Sequence, residues 1–177
     1  DKKLSHPASG ILRTNLPCSP LPLGGTAVKV GDPLPASMLT AADLSGVNLG
    51  DKKGKVKIIS VVPSVDTPVC EEQTHELSEK NGGLDKSVEL YTVSMDLPFA
   101  QSRFAKEAKI GNVTFLSDYK GADFGNKHGL LVKPINLLSR ALIVTDKDNI
   151  VRYMQVVPEL TTLPDMAEAV KVAKSLL

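Results

Sequence analysis

The chain has 177 residues and carries 21 basic against 20 acidic side chains, a formal charge of +1. That balance gives no electrostatic footing for nucleic acid or an anionic membrane surface, and no apolar run reaches the ~20 residues of a membrane helix. Two cysteines, Cys18 and Cys70, are too few for a disulfide framework, and neither a CxxC pair nor a ligand cluster points to a metal.

Residues 1–22 contain Pro7, Pro17, Pro20 and Pro22 and read as an irregular N-terminal arm ahead of one domain over 23–177. Residues 26–30 alternate weakly, as a short strand would, and Gly31-Asp32-Pro33 marks a turn. Residues 38–44 and 47–49 read as small strands on either side of Ser45-Gly46. The run 56–62 is apolar and rich in β-branched residues, as expected of a strand covered on both faces. A helix over about 69–80 follows, stopped at Asn81-Gly82-Gly83, and 88–94 is the next strand. Strand, helix and strand in such close succession predict a βαβ unit with parallel strands.

Pro98 opens a helix over 99–109, with Phe99 and Phe104 assigned to its buried side. A short strand at 113–116 and a glycine-flanked helix within 121–129 come next. Residues 140–145 and 150–157 form a hairpin about the turn 146–149. Asp165 caps a last helix reaching 176, whose Met166, Ala169, Val170, Ala173 and Leu176 share one face. The order βαβα, hairpin, helix belongs to the α/β class, with a mixed central sheet flanked by helices, as in thioredoxin-like folds.

The candidate chemistry sits at Pro63-Ser64-Val65-Asp66-Thr67-Pro68-Val69-Cys70. Cys70 lies where a strand hands over to a helix, among free backbone N–H groups and at the positive end of the helix dipole. Both favour thiolate, the reactive form. The plainer alternative is a buried cysteine acting as a small hydrophobe, and the residues alone leave both open. Thr67 caps the helix, and its hydroxyl is also placed to meet the sulfur or an incoming oxygen. Pro63 and Pro68 stiffen the loop, and Pro63 in addition shields the sulfur from water. Arg140, taken singly, reads as a surface charge. As a functional residue, its fixed guanidinium suits a buried thiolate or a bound oxygen better than a lysine does. Sequence alone does not bring it to Cys70. Glu71 and Glu72 are expected to point outward. His6, His75 and His128 are scattered, and His75 lies about 140° round the helix from Cys70.

The pattern Pro63-x-x-x-Thr67-x-x-Cys70 resembles the active-site loop of the peroxiredoxins. Asp96-Leu97-Pro98-Phe99-Ala100-Gln101-Ser102-Arg103-Phe104 resembles the matching segment of bacterial thiol peroxidases, one peroxiredoxin subfamily. Ser139-Arg140-Ala141 ahead of an apolar strand, and the segment from Pro158 to Asp165, match as well, so the resemblance spans about residues 20–177. It implies a thiol-dependent peroxidase that reduces hydrogen peroxide and organic hydroperoxides, with neither cofactor nor metal. Cys70 would be the peroxidatic cysteine, oxidised to a sulfenic acid, with Thr67 and Arg140 holding its thiolate and activating the peroxide, and Pro63 shielding it. Thioredoxin or another thiol is the implied reductant and a homodimer the implied assembly. No nucleic acid or membrane partner is expected. The cytoplasm is the expected compartment, with the periplasm left open because the chain begins at Asp1.

One position departs from the subfamily. Its resolving cysteine follows the Arg-Phe of the second segment, where this chain has Ala105. The usual intramolecular disulfide is thereby lost. Either Cys18 resolves the sulfenic acid, within the subunit or across a dimer, or an outside thiol does. The rival reading is a non-catalytic redox sensor or partner-binding module on the same fold.

Overall fold

The computed structural model describes residues 15–16, 19–20, 23–157, 159 and 161–177. Most of the expected arm, Cys18 included, lies outside the described residues.

In chain order, β1 (Asn15–Leu16) pairs with β2 (Ser19–Pro20), and β3 (Leu23–Gly24) follows. β4 (Leu39–Thr40) and β5 (Gly46–Val47) form an antiparallel pair. β6 (Lys57–Val61), α1 (Pro68–Glu79) and β7 (Glu89–Ser94) make the expected βαβ unit, β6 and β7 being parallel. α2 (Pro98–Glu107) leads to β8 (Thr114–Ser117), parallel to β7. After α3 (Asp123–His128) come β9 (Leu131–Val132) and β10 (Leu137–Leu138). The hairpin β11 (Ala141–Thr145) and β12 (Val151–Val156) precedes α4 (Met166–Ser175). The main sheet runs β12-β11-β6-β7-β8-β4-β5, with β11 antiparallel to β6.

Strand parity decides what each face carries. Successive side chains of a strand point to opposite faces. Ile58 and Val62 therefore join the cluster that includes Cys70 and Leu77 of α1 and Met166, Ala169 and Ala173 of α4. Ile59 and Val61 join the opposite cluster, with Phe124 of α3, Leu131 and Ile143. Leu142 and Val144 of β11 fall on the α1 side, so Arg140, two residues before Leu142, shares that face. Ser60 faces the same way. Burial on both faces explains why all of β6 is shielded and why its sequence shows no polar alternation.

Four expectations change. Residues 26–30 form no strand: the Thr26 N–H goes to the Asn126 carbonyl (3.1 Å) and the Gly31 N–H to the Val151 carbonyl (2.8 Å), so the segment straps two elements instead of laddering along one. At Gly129 (φ 67°) a Cβ would come within 2.8 Å of the Ala27 main chain, which keeps this strap close. The expected strand 38–44 shrinks to β4, and 47–49 divides between β5 and a 3₁₀ turn, Leu49–Asp51, whose Gly50 N–H is capped by the Asn48 side chain. Phe99 is 65% exposed, not buried. Five residues separate it from Phe104, about 140° of helix, so the two cannot share a face. Phe104 alone packs inward, edge-on to Phe115 with ring centroids 6.0 Å apart. The small sheet β10-β9-β3 was not expected, since two-residue strands are too short to show a period.

Candidate active site

The site forms where α1 begins against the sheet. Thr67 is the N-cap of α1, with extended backbone, and Pro68 occupies the first turn, where its missing N–H costs nothing. The Thr67 hydroxyl accepts the Cys70 N–H (3.4 Å) and donates to the Ser64 carbonyl (3.4 Å). It thus engages the Cys70 backbone, as the capping reading expects. Cys70, Gln73, Thr74 and Leu77 form the buried stripe of α1, at the i, i+3, i+4, i+7 spacing of one helix face. Cys70 is 0% exposed and Arg140 1%.

Arg140 reaches this stripe from the start of β11. Its Nη2 donates to Cys70 Sγ at 3.1 Å and its Nη1 to Gln73 Oε1 at 2.8 Å. Gln73 Nε2 in turn donates to Ser60 Oγ at 2.7 Å. A planar guanidinium with two N–H groups engaged has little freedom to turn. The sulfur therefore accepts a charge-assisted hydrogen bond from a guanidinium that the Gln73 amide oxygen also holds. Pro63, two residues after the end of β6 at Val61, is buried.

The loop between β6 and α1 hangs from Asp96. Its Oδ1 accepts Ser64 Oγ–H (2.8 Å), and its Oδ2 accepts the Val65 N–H (2.8 Å) and Ser94 Oγ–H (2.6 Å). Asp96 is itself fixed, because Ser117 Oγ donates to its carbonyl and Gln101 Nε2 donates to Ser94 Oγ (2.9 Å). A cavity of about 290 Å³ opens beside the loop, lined in part by Asp66, Thr67, Pro68, Glu71, Phe104 and Ala108. Ala105 is half-buried on α2 and packs against the core on the Cys70 side of the sheet.

The resemblance, not the spacing of the residues, implied that Arg140 joins Cys70 and Thr67; the structure puts Arg140 against Cys70 Sγ and the Thr67 hydroxyl against the Cys70 amide. Sequence reasoning missed Gln73, Ser60 and the clamp of Asp96 on Ser64 and Val65. For Gln73 the available signal was its position, i+3 from the cysteine and so on the same helix face. Glu71 and Glu72 point outward as expected, and His75 sits on the outer side of α1 between Glu71 and Glu79. Among the described residues no group of His, Cys, Asp or Glu is arranged to hold a metal, and no helix is long and apolar enough to cross a membrane.

The family model described as Redoxin matches residues 29–172. The chain belongs to the redoxin family. It is 44% identical over 159 residues to a thiol peroxidase of Halalkalibacterium halodurans, covering 90% of this chain and 95% of that one. It is 42% identical to a thiol peroxidase of Streptococcus pneumoniae, covering 89% and 96%. Among solved structures, a peroxiredoxin-like protein from Aquifex aeolicus superposes with a TM-score of 0.85 at 40% identity, covering 94% of this chain and 98% of that one. A thiol peroxidase from Chromobacterium violaceum gives 0.75 at 25% identity, covering 90% and 93%. Within the redoxin family this chain is a peroxiredoxin of the thiol peroxidase group, with a thioredoxin-like fold. Its activity is that of a thiol-dependent peroxidase, and the non-catalytic sensor is the less favoured reading.

Proposed function

We propose that Cys70 is the peroxidatic cysteine and that Arg140 is the residue that readies it. The observation that carries this reading is the guanidinium N–H 3.1 Å from the sulfur. The thiolate attacks the terminal oxygen of a hydroperoxide. The S–O bond forms as the O–O bond breaks, sulfur gives up two electrons, and the departing oxygen takes a proton to leave as water or an alcohol. Arg140 binds the sulfur in the ground state and stabilises the charge that moves onto the peroxide oxygens. Thr67 fixes the Cys70 amide by capping α1, and Pro63 walls off the loop side. Hydrogen peroxide and organic hydroperoxides are the substrates, reached through the cavity beside the loop.

The sulfenic acid then needs a thiol. Ala105 offers none, so the partner is Cys18 or an outside thiol, thioredoxin or another, and the working assembly is a homodimer. Peroxide consumption with dithiothreitol, wild type against Cys70→Ser, tests the central role: loss of turnover to background is expected, and equal rates overturn it. Mass spectrometry after one equivalent of peroxide separates the cycles. A Cys18–Cys70 disulfide within one chain, the same bond between chains and a trapped sulfenic acid each mark a different route.

A further inference from the structure

Cys70 is fully shielded, and so is the guanidinium beside it. A hydroperoxide is small enough to enter through the cavity beside the loop, but a thiol carried on a protein, such as thioredoxin, does not reach that sulfur while the loop over residues 63–67 stays in place. The loop is short of regular structure; Val65 packs its side chain into the core, and the hydrogen bonds from the middle of the loop to the sheet all run to one side chain. Asp96 takes the Ser64 hydroxyl on one oxygen and the Val65 amide on the other. Hydrogen bonds to a carboxylate are about twice as strong as neutral ones. Asp96 is no floppy surface acid either, since Ser94 of β7 and Ser117 of β8 hold its carboxylate and its carbonyl. The clamp therefore has a rigid end, on the sheet, and a movable end, on the loop.

We propose that Asp96 is a positioning residue whose clamp on Ser64 and Val65 sets how often the reactive loop opens, and so divides the cycle between peroxide attack and reduction by thiol. The inference rests on Cys70 as the peroxidatic cysteine. Closed, the clamp places the start of the loop so that Thr67 caps α1 and the sulfur stays against Arg140, which serves the first half-reaction. Open, it releases the sulfenic acid to an incoming thiol: Cys70–SOH and RSH give Cys70–S–SR and water, and a second thiol returns the cysteine and forms RSSR. One contact cannot favour both steps. Weakening it slows the first and speeds the second.

The test measures the two half-reactions separately in the full chain, for wild type, Asp96→Ala and the milder Ser64→Ala, which removes one of the two loop contacts. Stopped-flow mixing with hydrogen peroxide reads the first. The reaction of pre-formed sulfenic acid with reduced thioredoxin, followed by mass spectrometry, reads the second. In Asp96→Ala, oxidation is expected to slow roughly threefold while capture rises by a similar factor, together about a tenfold shift, or about 1.4 kcal/mol, in the opening equilibrium, with Ser64→Ala between. A merely structural residue lowers both rates together, and that result, or two unchanged rates, overturns the inference. If no sulfenic acid forms at Cys70 in the wild type, the parent reading has failed instead. Should Asp96→Ala not fold, Ser64→Ala alone decides: a split of opposite sign supports the clamp, and parallel loss removes it.

Discussion

At the scale of single residues, Arg140 and Gln73 act as a pair. Arg140 spans two acceptors that lie in different directions, Cys70 Sγ and Gln73 Oε1. Lysine keeps the charge but has no planar fork, so it cannot serve both at once. Arg140→Lys is therefore expected to lower the second-order rate constant with peroxide by about 10²-fold, the scale seen when one preorganised donor is removed. Stopped-flow oxidation of Cys70 checks it, and a loss under threefold would separate charge from geometry and sink the orienting argument. Gln73→Leu leaves the charge in place and strips its support. It strands the Ser60 hydroxyl and one guanidinium N–H in a buried site, at a cost on the order of 1–3 kcal/mol. Its expected effect on rate is smaller, roughly tenfold, with most of the loss appearing in urea stability. The spacing of Gln73 from Cys70 puts the two on one helix face, but what gives the glutamine its role is burial beside Arg140, which the spacing does not reveal.

At the scale of elements, the site depends on where α1 starts. Thr67 as N-cap and Pro68 in the first turn place Cys70 in the helix's opening turn, and the cap bond goes to the Cys70 amide itself. Thr67→Val keeps shape and removes the acceptor, with an expected loss of about 1 kcal/mol of stability. For a chain of this size that is roughly 2–4 °C in Tm. Thr67→Ser keeps the acceptor and should recover most of both stability and rate. If Val and Ser behave alike in thermal melts, the cap does not govern this turn. Much of this element pattern was legible in the sequence. The β-branched run before Cys70, the capping threonine and the glycine pair after Asn81 each act locally, so local chemistry reveals them. Arg140 was visible as a residue but not as a neighbour, because the pairing of β11 with β6 joins positions far apart in the chain. The short strands β3, β9 and β10 were invisible because two residues show no period, and β3 in addition is held by the distant β9. Phe99 went wrong through a misjudged helix angle, a failure of arithmetic that the sequence itself contained.

At the scale of the molecule, the face of the sheet opposite Cys70 holds two buried titratable groups shifted in opposite directions, Asp118 and His128. Asp118 accepts the Phe124 and Gly125 N–H groups at 2.9 and 2.8 Å. Burial pushes its carboxyl up to about 6, against the opposing pull of those two bonds. His128 stacks on Phe124 with ring centroids 3.8 Å apart, and its Nδ1 meets the Phe124 carbonyl at 2.8 Å. Burial pushes it down to about 4, the carbonyl contact opposing. The signs are opposite. A carboxyl raised on folding contributes stability that is full below its ordinary 3.8 and is lost as pH rises through about 6. A histidine lowered on folding contributes stability present above its ordinary 6.5, which is lost as pH falls toward about 4. Between about 4 and 6 the two trends offset, so wild-type stability should change little there. Asp118→Asn removes one arm and keeps one amide acceptor. Urea unfolding of this variant should then weaken steadily as pH drops from 6.5 toward 4, with a slope approaching about 1.4 kcal/mol per pH unit. His128→Gln should do the reverse, gaining stability as pH falls from about 6 toward 3.8. Peroxidase rate at neutral pH should be untouched in both, since neither residue lies on the Cys70 face. Parallel pH profiles for the two variants would show that these groups do not titrate against one another through folding.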